Sequence, residues 1–270
     1  MAKEYDFLDW GYSKRGLISR MPPYESIEVD KRALFKHFKK ALYIRWDSDF
    51  DSADSDDYYH VIKDTSCNME SLSSNTRNMI RRCLKNCSMQ IVDCQQIISR
   101  GGYEVYTSEY RRYDRKGFAS LVKPEDKWAD GMREAQNRGQ EFWGMFYENQ
   151  VVAYGVCQKI GQHIELVTWK CDYERFKQFY PSYGLLYTMI NHYMSIEGVR
   201  YVSDGARTMT GHSSVQDFLI EKFNFRKAPT KLNACFRWWL YPPLKFLSIF
   251  EKYINNNQLR SLIRLYKWSR

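Results

Sequence analysis

The run Glu141-Phe-Trp-Gly-Met-Phe-Tyr-Glu-Asn-Gln-Val-Val-Ala-Tyr-Gly-Val-Cys-Gln-Lys-Ile-Gly-Gln-His-Ile-Glu-Leu-Val-Thr-Trp-Lys170 decides the fold. Two turn signals, Glu148-Asn149-Gln150 and Gly161-Gln162, cut it into Glu141–Tyr147, Val151–Ile160 and His163–Lys170. Each piece is rich in aromatic and β-branched residues, so three consecutive antiparallel strands are expected. Further on, Leu185, Leu186, Met189, Ile190 and Tyr193 fall at helical spacing between Pro181 and Glu197, and Gly198 ends that helix. Val199–Ser203 reads as a short strand and Asp204–Gly211 as a loop. Ser213–Phe223 reads as a helix capped by Ser213, and Phe225–Lys227 and Leu232–Leu240 as two last strands. The order over residues 141–240 is therefore β-β-β-α-β-α-β-β.

Upstream the pattern is looser. Leu42–Trp46 and Tyr58–Lys63 read as strands around an acidic run, Asp47 to Asp57, with six Asp in eleven residues. Asp47, Asp49 and Asp51 alternate as in a calcium loop. Ser52 then stands where that loop needs Gly, and Tyr58 where it needs its bidentate Glu, so no metal is expected. Ser73 or Ser74 opens a helix whose apolar stripe is Met79, Ile80, Cys83 and Leu84. Arg77, Arg81 and Lys85, spaced by four, line another face of it. Ser88–Cys94 reads as a strand, and 103–115 and 124–138 as helices, the second opened by Pro124 and closed by Gly139.

Composition bounds the function classes. With 270 residues and 44% hydrophobic content the chain can build a large core, which excludes wholesale disorder. No apolar run is long enough to span a bilayer, and Met1–Lys14 has no apolar signal region. Seven Cys without scaffold spacing point to reduced thiols and a cytoplasmic setting. Of the net charge of +9, +6 comes from the last 34 residues, Arg237 to Arg270. The basic balance is thus a property of the tail, and no DNA partner is expected for the body. Phosphate-loop, dinucleotide and nucleophile-elbow motifs are absent from the sequence.

The element order over 141–240 resembles the GNAT fold of acyl-CoA N-acyltransferases. Locally, Thr76-Arg-Asn-Met-Ile-Arg-Arg-Cys-Leu-Lys-Asn-Cys-Ser-Met-Gln-Ile-Val92 and Tyr201-Val-Ser-Asp-Gly205 resemble the Fem-type aminoacyl transferases, which are built on two GNAT-like units. Together the resemblance covers roughly residues 40–240. It implies an α+β protein with a mixed, mostly antiparallel sheet flanked by helices. The sequential division it implies is a smaller Fem-like unit over 1–138, an acyltransferase core over 139–241 and a basic amphipathic tail over 242–270. It further implies acyl-CoA as co-substrate, held in a cleft beside the third meander strand. There Val167, Thr168 and Trp169 would meet the pantetheine, and the amides near Tyr183, Gly184 and Leu185 the phosphates. The usual pyrophosphate loop reads here Gln178-Phe-Tyr-Pro-Ser-Tyr-Gly-Leu-Leu186, with a single Gly. A Fem-type reaction would replace acyl-CoA with aminoacyl-tRNA, although the long helical arm of some Fem enzymes has no counterpart here.

Acyl transfer to an amine needs a base, an oxyanion donor and an acid for the leaving group. Candidate bases are His163 and Glu165, two apart and so on one strand face, and Asp204 at a strand end. Tyr183 and Tyr187 are candidate acids. The Arg77/Arg81/Lys85 face suits an anionic, carrier-linked substrate, because guanidinium matches phosphate; an ordinary solvated face competes with that reading. Three functions stay open: an acyltransferase acting on an amine, such as that of an amino sugar; an aminoacyl-tRNA-dependent transferase; and a non-catalytic binding module. In the tail, Leu244, Leu247, Phe250, Glu251 and Ile254, then Leu259, Leu262, Ile263 and Tyr266, recur at helical spacing around Asn255-Asn256-Asn257. A helical pair is expected, docked on the body or on an anionic membrane at the inner membrane face.

Overall fold

The computed structural model describes residues 6–13, 15–54, 57–112, 122–209 and 214–270. In chain order these form β1 (Trp10–Ser13), β2 (Gly16–Ser19), α1 (Lys31–His37), β3 (Tyr43–Ser48), β4 (Tyr59–Lys63), α2 (Ser74–Asn86), β5 (Ser88–Val92), α3 (Cys94–Ser99), α4 (Gly102–Arg112), α5 (Glu125–Asn137) and β6 (Glu141–Tyr147). There follow β7 (Gln150–Ile160), β8 (His163–Cys171), α6 (Tyr173–Phe176), α7 (Pro181–Met194), β9 (Tyr201–Ala206), α8 (Ser214–Phe223), β10 (Arg226–Pro229), β11 (Lys231–Phe236), α9 (Tyr241–Ile249) and α10 (Asn257–Trp268). The architecture is α+β, with two mixed sheets: β1-β2-β3-β11, and β10-β4-β9-β8-β7-β6-β5.

Local chemistry explains the elements that were expected. Glu148 and Asn149 take φ of +45° and +69°, the paired left-handed residues of a tight hairpin between β6 and β7. Gly161, at φ +55°, turns β7 into β8. Ser73 caps α2 by accepting the Thr76 N–H. Pro181 sits in the first turn of α7, where a missing N–H costs nothing. Elsewhere the structure differs. β5 stops at Val92 because Asp93 caps α3, accepting the Gln95 N–H. β9 runs on to Ala206, so Asp204 lies within a strand and not in a loop. β11 ends at Phe236 and a short turn of 3-10 helix, Trp238–Leu240, follows. Residues 113–115 of the helix expected over 103–115, and the expected cap Ser213, lie outside the described residues.

The chain forms two compact units. One comprises Met1–Val61, Ala206–Asp217 and Arg226–Arg270; the other comprises Ile62–Gly205 and Phe218–Phe225. The first is discontinuous because β11 returns to pair antiparallel with β3, from Lys231↔Ser48 to Phe236↔Tyr43. β2 lies parallel on the other edge of β3. One core of this unit gathers Trp10, Leu17, Leu34, Ala41 and Ile44. The other gathers Leu232, Phe236, Leu244, Ile263, Leu265 and Tyr266, so the tail helices cover β11. Glu251 holds the two tail segments together: Arg264 donates to its Oε1 at 3.0 Å and Lys267 to its Oε2 at 2.7 Å.

In the second unit β5, β6, β7 and β8 run antiparallel in sequence, and β9 joins β8 in parallel. One face packs against α3, α4 and α5 through Ile97, Val105, Tyr106, Trp128, Phe142 and Tyr154. The other face carries α7. A β-carbon on Gly155 would sit 2.7 Å from Met189 Sδ, so this glycine lets the helix lie close on the sheet. Trp143 Nε1 donates to Tyr193 Oη at 2.9 Å, and that hydroxyl donates to Glu141 Oε2 at 2.6 Å, tying α7 to β6.

Two outcomes follow from this packing. A β-carbon on Gly184 would fall 2.4 Å from Cys83 Sγ and 2.8 Å from Cys83 Cβ, where α2 crosses α7. Gly184→Ala should therefore destabilise the protein by about 1–3 kcal/mol, the usual range for overpacking, measured as the shift in urea midpoint. Burial alone would raise the Glu251 carboxyl, but the hydrogen bonds from Lys267 and Arg264 hold it below the usual glutamate value. A carboxylate depressed in the folded state contributes stability above its unfolded pKa, and loses it as pH falls through the folded value. Thermal scans of the native chain and Glu251→Gln should differ at neutral pH and converge as pH falls through the depressed folded value.

Candidate functional site

β8 and β9 start as a parallel pair and then part. The ladder holds only His163↔Tyr201, Ile164↔Val202 and Glu165↔Ser203. Among the described residues, Leu166 to Lys170 have no β9 residue opposite them, so that stretch of the β8 edge is left outside the β8–β9 ladder. A β-bulge lies just past the separation. Val156 opposes Thr168 while Cys157 opposes Leu166, which leaves Val167 as the extra residue, 45% exposed. A bulge bends its strand and raises its twist. β9 changes course at the same level: Gly205 takes φ +80° and donates its N–H to Ser203 Oγ at 2.9 Å.

The candidate bases distribute around this gap. Glu165, half-buried, is the last paired residue, and its Oε1 lies 3.6 Å from where a β-carbon on Gly205 would sit. The carboxyl thus reaches the crotch of the gap. His163 shares its face but is 4% exposed, with its ring stacked on Tyr201 at 4.9 Å and 14°. Asp204 is half-buried and, by strand alternation, projects from the opposite face to Ser203 and Glu165. The three are therefore not one cluster. Thr168 lies level with Val156 on the α4 side, and Trp169 level with Gly155 on the side that α7 covers.

The head of α7 is more fully used by the fold than the sequence implies. Leu185 is fully buried in the core. The Gly184 N–H faces the Cys83 thiol, and the Tyr183 N–H is bonded to Tyr180 O at 3.0 Å. The Ser182 hydroxyl is buried there without a hydrogen-bond partner. Tyr183 packs edge-on to Phe218 at 5.2 Å; burial pushes its phenol pKa up, against the pull of Lys222. Burial raises the Tyr187 phenol as well.

The basic face of α2 also divides. Arg77 donates to Leu72 O at 2.7 Å and to Ser74 Oγ at 3.1 Å, and so serves its own helix start. Arg81 and Lys85 are exposed. Arg82 is the residue the spacing did not single out: its guanidinium lies 5.8 Å over the ring of Tyr180, the left-handed residue that precedes α7. Arg82 and Lys222 thus bring two positive charges to the head of that helix. Tyr187, Thr188, Asn191 and His192 of α7 border a shallow groove of about 580 Å³, closed on its other side by Met89, Ile91 and Trp143. Among the described residues no group of His, Cys, Asp and Glu is arranged to hold a metal ion.

No family model matches the sequence. No curated protein matches it either. Solved structures do. A conserved protein of unknown function from Bacteroides thetaiotaomicron VPI-5482 is similar at TM-score 0.49 and 13% identity, over 76% of this chain and 66% of that one, just under two thirds of its length. The L-PGS of Bacillus licheniformis is similar at 0.49 and 10%, over 93% and 85%. A GCN5-related N-acetyltransferase-like protein from Streptococcus suis 89/1591 is similar at 0.40 and 13%, over 84% and 82%.

A side chain at 205 should disturb the gap through the backbone alone. The left-handed φ of Gly205 costs an L-residue about 1–2 kcal/mol, so Gly205→Ala should lower stability by that amount, read as a shift in thermal midpoint.

Proposed function

We propose that the chain is a GNAT-type acyltransferase that moves an acyl group from acyl-CoA to an amine. The observation that carries this reading is the end of β8–β9 pairing at Glu165/Ser203. An extended thioester arm can add to the unpaired edge of β8 as a further strand would, with Val167, Thr168 and Trp169 offering backbone groups. The amine nitrogen then attacks the acyl carbon, the carbon–sulfur bond breaks, and the thiolate leaves. Glu165 takes the proton from the amine, because its carboxyl stands at the crotch of the gap. Asp204 positions the acceptor from the other face. Tyr183, whose phenol is held protonated by burial, is the candidate proton source for the thiolate. Arg81 and Lys85 serve a phosphate-bearing carrier attached to the acceptor.

One observation favours a second donor, an aminoacyl-tRNA. With Pro181 bringing no N–H and the Tyr183 amide bonded to the Tyr180 carbonyl, the head of α7 offers fewer free N–H groups than the open helix start that grips pyrophosphate. Phosphate would then be met by the side chains of Arg82 and Lys222, a grip that a polynucleotide shares.

Thermal stability separates the donors, since a ligand of the native state raises the midpoint by mass action. Acetyl-CoA should raise it, whereas a rise with charged tRNA alone selects the second reading. With the active donor, Glu165→Gln should reduce turnover about a hundredfold or more, the scale of a lost general base. Asp204→Asn should raise the acceptor KM with a smaller change in kcat. An unchanged rate in Glu165→Gln removes the assignment.

A further inference from the structure

We propose that the outer side of α9, with the turns before and after it, is a docking face for an anionic lipid bilayer. α9 is apolar on two sides. Leu244 is buried and Leu247 and Ile254 pack with it against the core over β11. The opposite stripe, Phe246, Ile249, Phe250 and Tyr253, repeats at i, i+3, i+4 and i+7 and stays 62%, 70%, 43% and 70% exposed. Trp238 and Trp239, just ahead of the helix, are 82% and 47% exposed. Large exposed apolar side chains normally stand singly on a soluble surface; a contiguous group marks an interaction site.

Charge selects the partner. Lys245 and Lys252 are exposed on the same segment, and the Lys252 ammonium lies 4.8 Å over the Tyr253 ring. The one acid of the segment, Glu251, is turned toward Arg264 and Lys267 and neutralised by them. Arg237 spends its guanidinium on the carbonyls of Phe35, Lys39 and Ala41. The charge left facing outward is therefore positive. Two Trp and a Tyr, each an apolar ring with one polar atom, suit the headgroup depth of a bilayer, and basic residues beside them are drawn to anionic lipid. A second copy of the chain would bring Lys245 and Lys252 to a face that offers no anion in return. Among the described residues no helix is long and apolar enough to cross a membrane, so the contact is peripheral.

The test uses the full chain with vesicles of equal parts phosphatidylglycerol and phosphatidylcholine, read by co-sedimentation at low salt. The native chain should bind, and less so as salt screens the lysines. The triple variant Phe246→Ser, Ile249→Ser, Tyr253→Ser should lower partitioning about a hundredfold or more, because each exchange removes a large side chain from the apolar layer. Lys245→Glu with Lys252→Glu should lower it at least about thirtyfold. Both variants should melt with the native chain, since the altered side chains are exposed. No binding by the native chain, equal binding by native and variants, or a dimer in sedimentation velocity that the same substitutions dissolve would each overturn the proposal. None of these outcomes depends on the transferase reading.

Discussion

The parting of β8 from β9 is the constraint on which the second unit turns. Parallel neighbours need a crossover, and here α7 supplies it, running from the end of β8 back to the start of β9. The two strands need to meet only where the crossover returns, at His163–Glu165 and Tyr201–Ser203. Beyond that level nothing in the ladder holds them together, and the extra residue at Val167 bends β8 while Gly205 turns β9. Backbone groups exposed in this way are satisfied by water or by a ligand that behaves as a strand. The Glu165 carboxyl, on the last paired residue, therefore stands at the start of that edge.

Packing and binding compete at the head of α7. A helix start is an anion site only while its N–H groups are free. Gly184 brings α2 against α7 so closely that Cys83 lies against the first turn, Pro181 has no N–H to offer, and the left-handed turn at Tyr180 takes that of Tyr183. What remains near that end is a cationic and aromatic surface from Arg82, Tyr180, Tyr183 and Lys222. Such a surface carries positive charge without the fixed donor geometry of a helix start.

The parts that could be read from sequence are those whose cause is local. Glu148-Asn149 and Gly161 are turn residues, so β6, β7 and β8 could be bounded within one or two residues; Ser73 and Pro181 mark helix starts by their own chemistry. The face shared by His163 and Glu165 follows from alternation. What was not legible depends on distant residues. The β11–β3 pairing joins positions nearly two hundred residues apart, and it makes the first compact unit discontinuous in sequence. The bulge at Val167 has no residue signature, since β-branched residues are equally at home in a regular strand. Arg77, Arg81 and Lys85 share one helical face, but spacing could not show that Arg77 bonds the Leu72 carbonyl while Arg82, on the neighbouring face, reaches Tyr180.

The tail shows the same limit at the level of a whole helix. A stripe at spacings of three and four identifies an apolar side, and the usual inference is that this side faces a core. In α9 and the turn after it two such stripes interleave, and the pattern Leu244, Leu247, Phe250, Ile254 mixes members of both. The structure separates them because β11 can be covered from one direction only. Leu244, Leu247 and Ile254 go inward with Ile263 and Tyr266 of α10, closing the core that β11 and β3 leave open. Once that side is spent, Phe250 turns outward with Phe246, 5.4 Å between their rings, and the apolar stripe of α10 that first suggested an interface is itself interior. The tail is thus a structural element of its unit before it can be anything else, and any contact it makes with a partner must use the stripe that folding did not need.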